Sequence, residues 1–347
     1  MCTKPASISP CADLDSLVRL ASGTVLDIGG SRVQDSFKGM LHERLKSKKP
    51  GERKLFPSAL LSDDAGLQMW RDITHLQNYY ATREEVRLLS SYGGRIASSL
   101  EPDSVIIDLG CGDVTKVVPI LDSLEKERKD IFYFALDLSR PSVEQNMAQL
   151  TGRSYKHVRW FGLHGTFEDG LAWSQSIQAP RWFLSLGSIF GNDAFDDAVA
   201  LLRNWASRMR PTDRLLLGID AETDRQKVWD SYNDPSGVFH RFLRNAFAHS
   251  NRVLGYPWYR DEDWSVDSIV SGDDTVIHQY IFTALRDVEC PPLSVCFPVG
   301  DKIDFYESYK WGEAKMGAMF SASGFDAVET WNLPDGPVYE YLLRRAF

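Results

Sequence analysis

Two carboxylates and two glycines open the question of chemistry in this chain. Asp108-Leu109-Gly110-Cys111-Gly112 follows the apolar run Val105, Ile106 and Ile107. Glycines at the end of a strand permit a tight turn and let a ligand approach the backbone. Asp137 ends the next apolar run, "IFYFALDLS", one helix-like segment later. A carboxylate at that place accepts hydrogen bonds from both hydroxyls of a ribose. A second glycine pair, in "VLDIGG" at Val25 to Gly30, lacks a following acidic strand end and reads as structural. The seven histidines are scattered, and no metal-binding constellation stands out.

Three loops compete for "DLGCGDVTK". The dinucleotide pattern G-x-G-x-x-G wants a third glycine where Thr115 stands. The phosphate loop G-x-x-x-x-G-K-[ST] has the wrong spacing. The S-adenosylmethionine (SAM) loop of class I methyltransferases, an acidic residue, one apolar residue and G-x-G, fits without strain. With the strand, the helix and Asp137 in register, SAM binding outweighs a plain structural turn.

The elements around the loop supply its setting. From "TREEVRLLSSYGGRIASSL" onward, short apolar runs alternate with amphipathic helical stretches. That alternation predicts an α/β fold, a Rossmann-like parallel sheet with helices on both faces. "FDAVETW" and "VYEYLLRR", joined by a "PDGP" turn, read as a hairpin finishing that sheet. Residues 1–85 and 223–310 fall outside the rhythm and are expected to build a second, substrate-binding domain. Residues 86–222 and 311–347 would form the SAM-binding domain, with the cleft between the two.

Composition narrows the class of function. The chain has 347 residues, 43% apolar and 25% charged, enough for a sizeable core. A net charge of −9 argues against nucleic acid, which demands clustered Lys and Arg. The basic stretch from Glu43 to Lys54 reads as a solvated loop. Cys2, Cys11, Cys111, Cys290 and Cys296 show neither Cys-x-x-Cys nor zinc spacing and read as reduced thiols. No signal-peptide core or membrane-length apolar run is present, so a cytoplasmic monomer with a small-molecule substrate is expected.

Several further segments carry a resemblance: "DITHLQNYYATREE", "LDLS", "GLHGTFEDGLAW", "LGSIFGN", "SYNDPSGV" and "ESYKW". From about Leu61 to the C-terminus the chain resembles the histidine-specific α-N-methyltransferases of ergothioneine biosynthesis. It is closer to their fungal relatives that methylate tryptophan or dimethylallyltryptophan in alkaloid biosynthesis. The resemblance implies SAM as co-substrate, no metal, and cofactor contacts at Gly110, Gly112, Lys116 and Asp137, with Thr166 or Phe167 at the adenine. It implies that Asn192 receives the α-amino group, that Tyr232 holds the α-carboxylate, and that Tyr79 lines the pocket. Each has a plainer reading: Asn192 could cap the helix starting near Asp193, and Tyr79 could be an ordinary core aromatic. Asp193, Asp196 and Asp197 read as a negatively charged first helical turn.

Two departures from the histidine enzymes bear on specificity. Ser62 stands where those enzymes carry a tyrosine before "D-x-x-G". Tyr306 replaces the glutamate that grips imidazole, while Ser308 keeps the place of the serine. An extended "DFYESYKW" would put Tyr306 and Ser308 on one face and Glu307 on the other. A tyrosine suits an indole better than a carboxylate does. The expected reaction is therefore N-methylation of tryptophan or a ring-substituted tryptophan. The alternatives are histidine methylation and a non-catalytic protein that kept the fold.

Overall fold

The structure, a computed structural model, describes residues 17–46 and 53–346. Cys2, Cys11 and most of the basic stretch before Arg53 lie outside the described residues. The chain opens with β1 (Val25–Asp27), α1 (Val33–Leu45), β2 (Lys54–Leu55), α2 (Asp64–Thr74) and α3 (Tyr80–Ser98). Strict alternation follows: β3 (Val105–Leu109), α4 (Val118–Lys126), β4 (Ile131–Asp137), α5 (Arg140–Thr151) and β5 (Val158–His164). It continues through α6 (Phe167–Trp173), β6 (Arg181–Ser185), α7 (Phe195–Arg208) and β7 (Arg214–Asp220). Then come α8 (Arg225–Tyr232), α9 (Val238–Leu254), β8 (Trp264–Ser271) and β9 (Val276–Ala284). After β10 (Val288–Cys290), β11 (Val295–Phe297) and β12 (Lys302–Lys310), the chain ends in α10 (Glu313–Ser323), β13 (Phe325–Asn332) and β14 (Val338–Arg345).

The large sheet has the order β1-β5-β4-β3-β6-β7-β14-β13. Its first six strands are parallel, and the terminal hairpin adds two antiparallel ones. This is the predicted doubly wound α/β sheet. Every residue of β3 and β4 is buried, which is why both read as unbroken apolar runs. Val105, Ile107 and Leu109 pack on one face with α6, α7 and α10, while Ile106 points to the other, with α3 and α4. Strand order reverses beside β3, between β4 and β6. The crevice beyond the carboxyl ends of those strands is where such sheets hold ligands.

The second sheet, β2-β12-β9-β8, is mixed, with β2 parallel to β12. Along β9 buried residues alternate with half-buried ones, the pattern of a sheet packed on one face. The covering helix is α9, whose Phe239, Phe242, Leu243, Ala246 and Phe247 make a single buried stripe. Asp234 starts that helix by accepting the backbone N–H groups of Val238 and Phe239. The expectation that all of residues 1–85 stand apart from the large sheet needs correction. β1 extends that sheet, with Val25 opposite Gly162, because "VLD" is apolar enough to pair along the open edge of β5. The glycines after β1 lie against Asp169 and His164, in keeping with a structural turn.

Candidate active site

The glycine loop is fixed from both sides. Gly110 and Cys111 donate their backbone N–H groups to the Leu136 carbonyl at 2.9 and 3.1 Å. The Asn146 side chain donates to the Gly112 carbonyl at 2.8 Å. Gly110 has φ 66°, and a Cβ there would stand 3.1 Å from Ile189 and 3.2 Å from the Phe167 ring. Only glycine combines that backbone with that approach. Asp137, at the end of β4, accepts from Gly112 N at 3.4 Å and Ser139 N at 3.1 Å. Burial raises its carboxyl above the usual range, and these N–H groups partly oppose that. Burial likewise pushes Asp108 up to about 7, although the Tyr133 hydroxyl donates to it at 2.8 Å.

A solvent-open cleft runs over this loop. Trp70 of α2, Gly110, Gly112, Lys116, Gly187 and Ile189 are among its lining residues. Lys116 pairs with Glu85 of α3 at 2.8 Å. The two adenine candidates separate here. The Thr166 hydroxyl is committed to a capping box with Asp169 at the start of α6. The Phe167 ring instead lies next to Gly110.

Beside the cleft sits an aromatic box. Tyr306 contacts Trp70, Tyr232, Phe239 and Phe242, with ring centroids 5.6–6.4 Å apart. Tyr79 contacts Trp70, Tyr232 and Phe239. Burial raises the hydroxyls of Tyr79 and Tyr306 well above their usual range, so both remain neutral donors. Below the box, Tyr232 and Ser308 hydroxyls lie 2.7 Å apart, and Lys310 donates to both. Lys310 also pairs with Asp220 at 2.7 Å, which receives the Tyr80 hydroxyl as well.

Asn192 is not a helix cap. The N-cap of α7 is Ala194, and the Asn192 side chain reaches β12 instead. It donates to the Glu307 carbonyl at 3.3 Å and accepts from Tyr309 N at 2.7 Å, gripping the backbone on both sides of Ser308. The predicted extended geometry of "DFYESYKW" also fails at one point. Tyr306 has φ 52°, and the pairing with β9 slips between Phe305 and Ser308. The bulge turns both Phe305 and Tyr306 toward the aromatic core, while Glu307 pairs with Arg53. Ser62 ends a short 3-10 turn before Asp63, which caps α2. Among the described residues, no hydrogen bond ties Ser62 to the other substrate candidates.

Residues 37–345 match the family of SAM-dependent, histidine-specific methyltransferases. The chain belongs to this family. It is 34% identical over 353 residues to 4-dimethylallyltryptophan N-methyltransferase of Claviceps purpurea, covering 93% of this chain and 98% of that protein. The corresponding enzyme of Aspergillus fumigatus is 28% identical over 340 residues, 94% and 98%. Ergothioneine biosynthesis protein 1 of Neurospora crassa is 32% identical over 315 residues, 90% of this chain. This chain spans about a third of that protein's length, 35%.

The residues present suit the SAM of this methyltransferase family. A left-handed glycine loop leaves a cradle that a Cβ would fill, and a buried carboxylate at the end of β4 borders it. Lys116 adds a cation and Phe167 a flat apolar face. Several residues around the site were not expected there from the sequence: Lys310 and Asp220 under the hydroxyl pair, Glu85 and Trp70. Lys310 sits in the quoted "ESYKW" segment, two residues from Ser308, so the same strand face could have indicated it.

Proposed function

We propose that the chain transfers a methyl group from SAM to the α-amino nitrogen of tryptophan or a ring-substituted tryptophan. The observation that carries this reading is the set of rings packed on Tyr306, those of Trp70, Tyr232, Phe239 and Phe242, at the position where the histidine enzymes carry a glutamate. An imidazole taken from water into that box would lack an ionic partner. An indole needs one acceptor and broad apolar contact, which the rings of Trp70, Phe239, Phe242 and Tyr306 offer. The relatives named for dimethylallyltryptophan support the same class and a place in fungal alkaloid chemistry.

SAM supplies an electrophilic methyl carbon on a sulfonium. The chain's residues align the nucleophile and exclude water, so the rate gain comes mainly from positioning. Gly110, Gly112, Lys116, Asp137 and Phe167 would hold the cofactor. Tyr232, fixed by Lys310 and Ser308, would donate to the substrate α-carboxylate. Asn192 Oδ1 would accept from the α-amine, and Tyr79 would close the box above it. The amine must reach the methyl group neutral, and the histidine in ring contact with Tyr232 is His278. That ring is stacked on Tyr232 and is pushed down to about 3 by burial and Lys310, so it binds no proton at neutral pH.

The deciding experiment incubates the protein with methyl-labelled SAM and the twenty amino acids plus 4-dimethylallyltryptophan. N-methylated tryptophan or its prenylated form is the expected product. Label only on histidine would overturn the substrate assignment, and label on nothing would favour a binding protein.

A further inference from the structure

Two buried carboxylates meet behind the cofactor cleft, and the methyl-transfer scheme uses neither. Glu85 projects from α3 and Glu340 from β14, with 2% and 0% of their surface exposed. Glu340 lies opposite Gly218 of β7 across the sheet. A Cβ on Gly218 would stand 2.4 Å from Glu85 Oε1 and 2.8 Å from Glu340 Oε1, so the missing side chain is what admits both groups. Glu85 has further partners. It accepts the Gly187 backbone N–H at 2.5 Å and pairs with Lys116 at 2.8 Å. Among the described residues, neither side-chain oxygen of Glu340 has a hydrogen-bond partner, and its nearest charged neighbour beside Gly218 is Glu85.

Two ionised carboxylates in contact and out of water repel strongly, and a single lysine neutralises only one. We infer that Glu85 and Glu340 share one proton, and that this pair positions Lys116 and the Gly187 backbone for SAM. With the proton in place, Glu340 donates to Glu85, and Glu85 keeps a single negative charge for Lys116. The cluster is then neutral, and the protonated oxygen of Glu340 has Glu85 as its acceptor. The groups facing Glu340 agree with this state. Burial raises its carboxyl most, Glu85 and Asp108 raise it further, and Lys116 opposes them only in part. Both residues held by Glu85 line the cleft, so the pair acts on the cofactor through them. Glu85 and Glu340 are thus positioning residues.

Three variants of the full chain test this. Glu340→Gln keeps the size of the protonated acid and still donates to Glu85, so SAM affinity should stay within about twofold of the parent. Infrared spectroscopy should show a protonated-carboxyl band in the parent that Glu340→Gln lacks. Glu340→Leu removes the donor and Glu85→Gln removes the charge, and each should weaken SAM binding roughly tenfold by calorimetry. If the leucine variant does not fold, Glu85→Gln carries that arm of the test. The inference is overturned if Glu340→Gln loses SAM affinity as strongly as Glu85→Gln, or if no carboxyl band disappears. It is equally overturned if folded Glu85→Gln binds SAM like the parent. These readouts need SAM alone, so they stand apart from the choice of amino-acid substrate.

Discussion

The hydroxyls of Tyr232 and Ser308 lie 2.7 Å apart, and the Lys310 ammonium donates to both, at 2.9 and 2.8 Å. The hydrogens in this triangle can be counted. Lys310 cannot accept, so each hydroxyl oxygen takes one of its hydrogens. One hydroxyl then donates to the other, and one hydroxyl hydrogen is left over. A buried ammonium thus turns a pair of ambivalent hydroxyls into a donor, which is what a carboxylate requires. Tyr232→Phe removes half of that device. The KM for the amino acid should rise by about 1–3 kcal/mol equivalent, roughly fivefold to 150-fold, while SAM affinity holds. Comparing tryptophan with its carboxamide checks the cause. The parent should prefer the acid, and the variant should lose most of that preference.

Asp137 stands at the end of β4, against the glycine loop. Its two carboxylate oxygens accept from Gly112 N and Ser139 N and orient toward the loop. Asp137→Ala would leave the ribose hydroxyls buried without an acceptor and loosen Gly112. SAM binding should weaken by about 1–3 kcal/mol. Calorimetric titration measures this, and an unchanged dissociation constant would remove Asp137 from the cofactor site.

Asp108 gives the fold a pH dependence. Burial holds its carboxyl near 7, well above the ordinary value of 3.8, so the folded chain keeps a proton that the unfolded chain has lost. Stability must then fall as pH rises from about 4 to about 7, because the native state binds more protons. At about 1.4 kcal/mol per unit, the full window is worth about 4 kcal/mol. Asp108→Asn keeps an acceptor for Tyr133 and has no proton to lose. Denaturant unfolding of both proteins at several pH values should show the variant gaining on the parent across that window. A constant difference would mean that Asp108 is already ionised at low pH.

The cofactor half of this site was legible in the sequence, and the substrate half much less so. Strands buried on both faces read as apolar runs, and their ends are marked by Gly110, Gly112 and Asp137, so loop and carboxylate could be found locally. Asn192 is different: its side chain grips β12, 115 and 117 positions away, and nothing near it announces that contact. The kink at Tyr306 depends on how β12 slips against β9 and is invisible to alternation alone. Glu85 and Glu340 looked like ordinary polar positions. Yet Glu85 shares a helical face with Leu88 and Leu89, and Glu340 interrupts the apolar "VYEYLL", which is the signature of a buried acid. The place of the "VLD" strand on the edge of β5 is a matter of tertiary pairing, which no local pattern announces.

Tyr306 is where specificity should be tested. Its ring touches Trp70, Tyr232, Phe239 and Phe242 at once, and its backbone is held at φ 52° by the bulge. An aromatic residue rarely accepts that conformation, and strain of this kind, about 1–3 kcal/mol, tends to collect at functional sites. The ring would lie against the substrate indole and contribute about 0.5–1.5 kcal/mol beyond simple burial. Tyr306→Glu removes that contact and sets a carboxylate among four aromatic rings. Tryptophan kcat/KM should fall roughly tenfold or more, since about 1.4 kcal/mol of lost transition-state binding already gives that factor. Histidine, whose imidazole can use a carboxylate, should lose less or gain. The bulge survives the change, because the register of β12 against β9 is set by Ile303, Phe305 and Tyr309 on either side. The decisive quantity is therefore the ratio of kcat/KM for tryptophan to that for histidine, measured in both proteins at equal SAM saturation. A ratio that does not move would show that Tyr306 packs the box without reading the side chain.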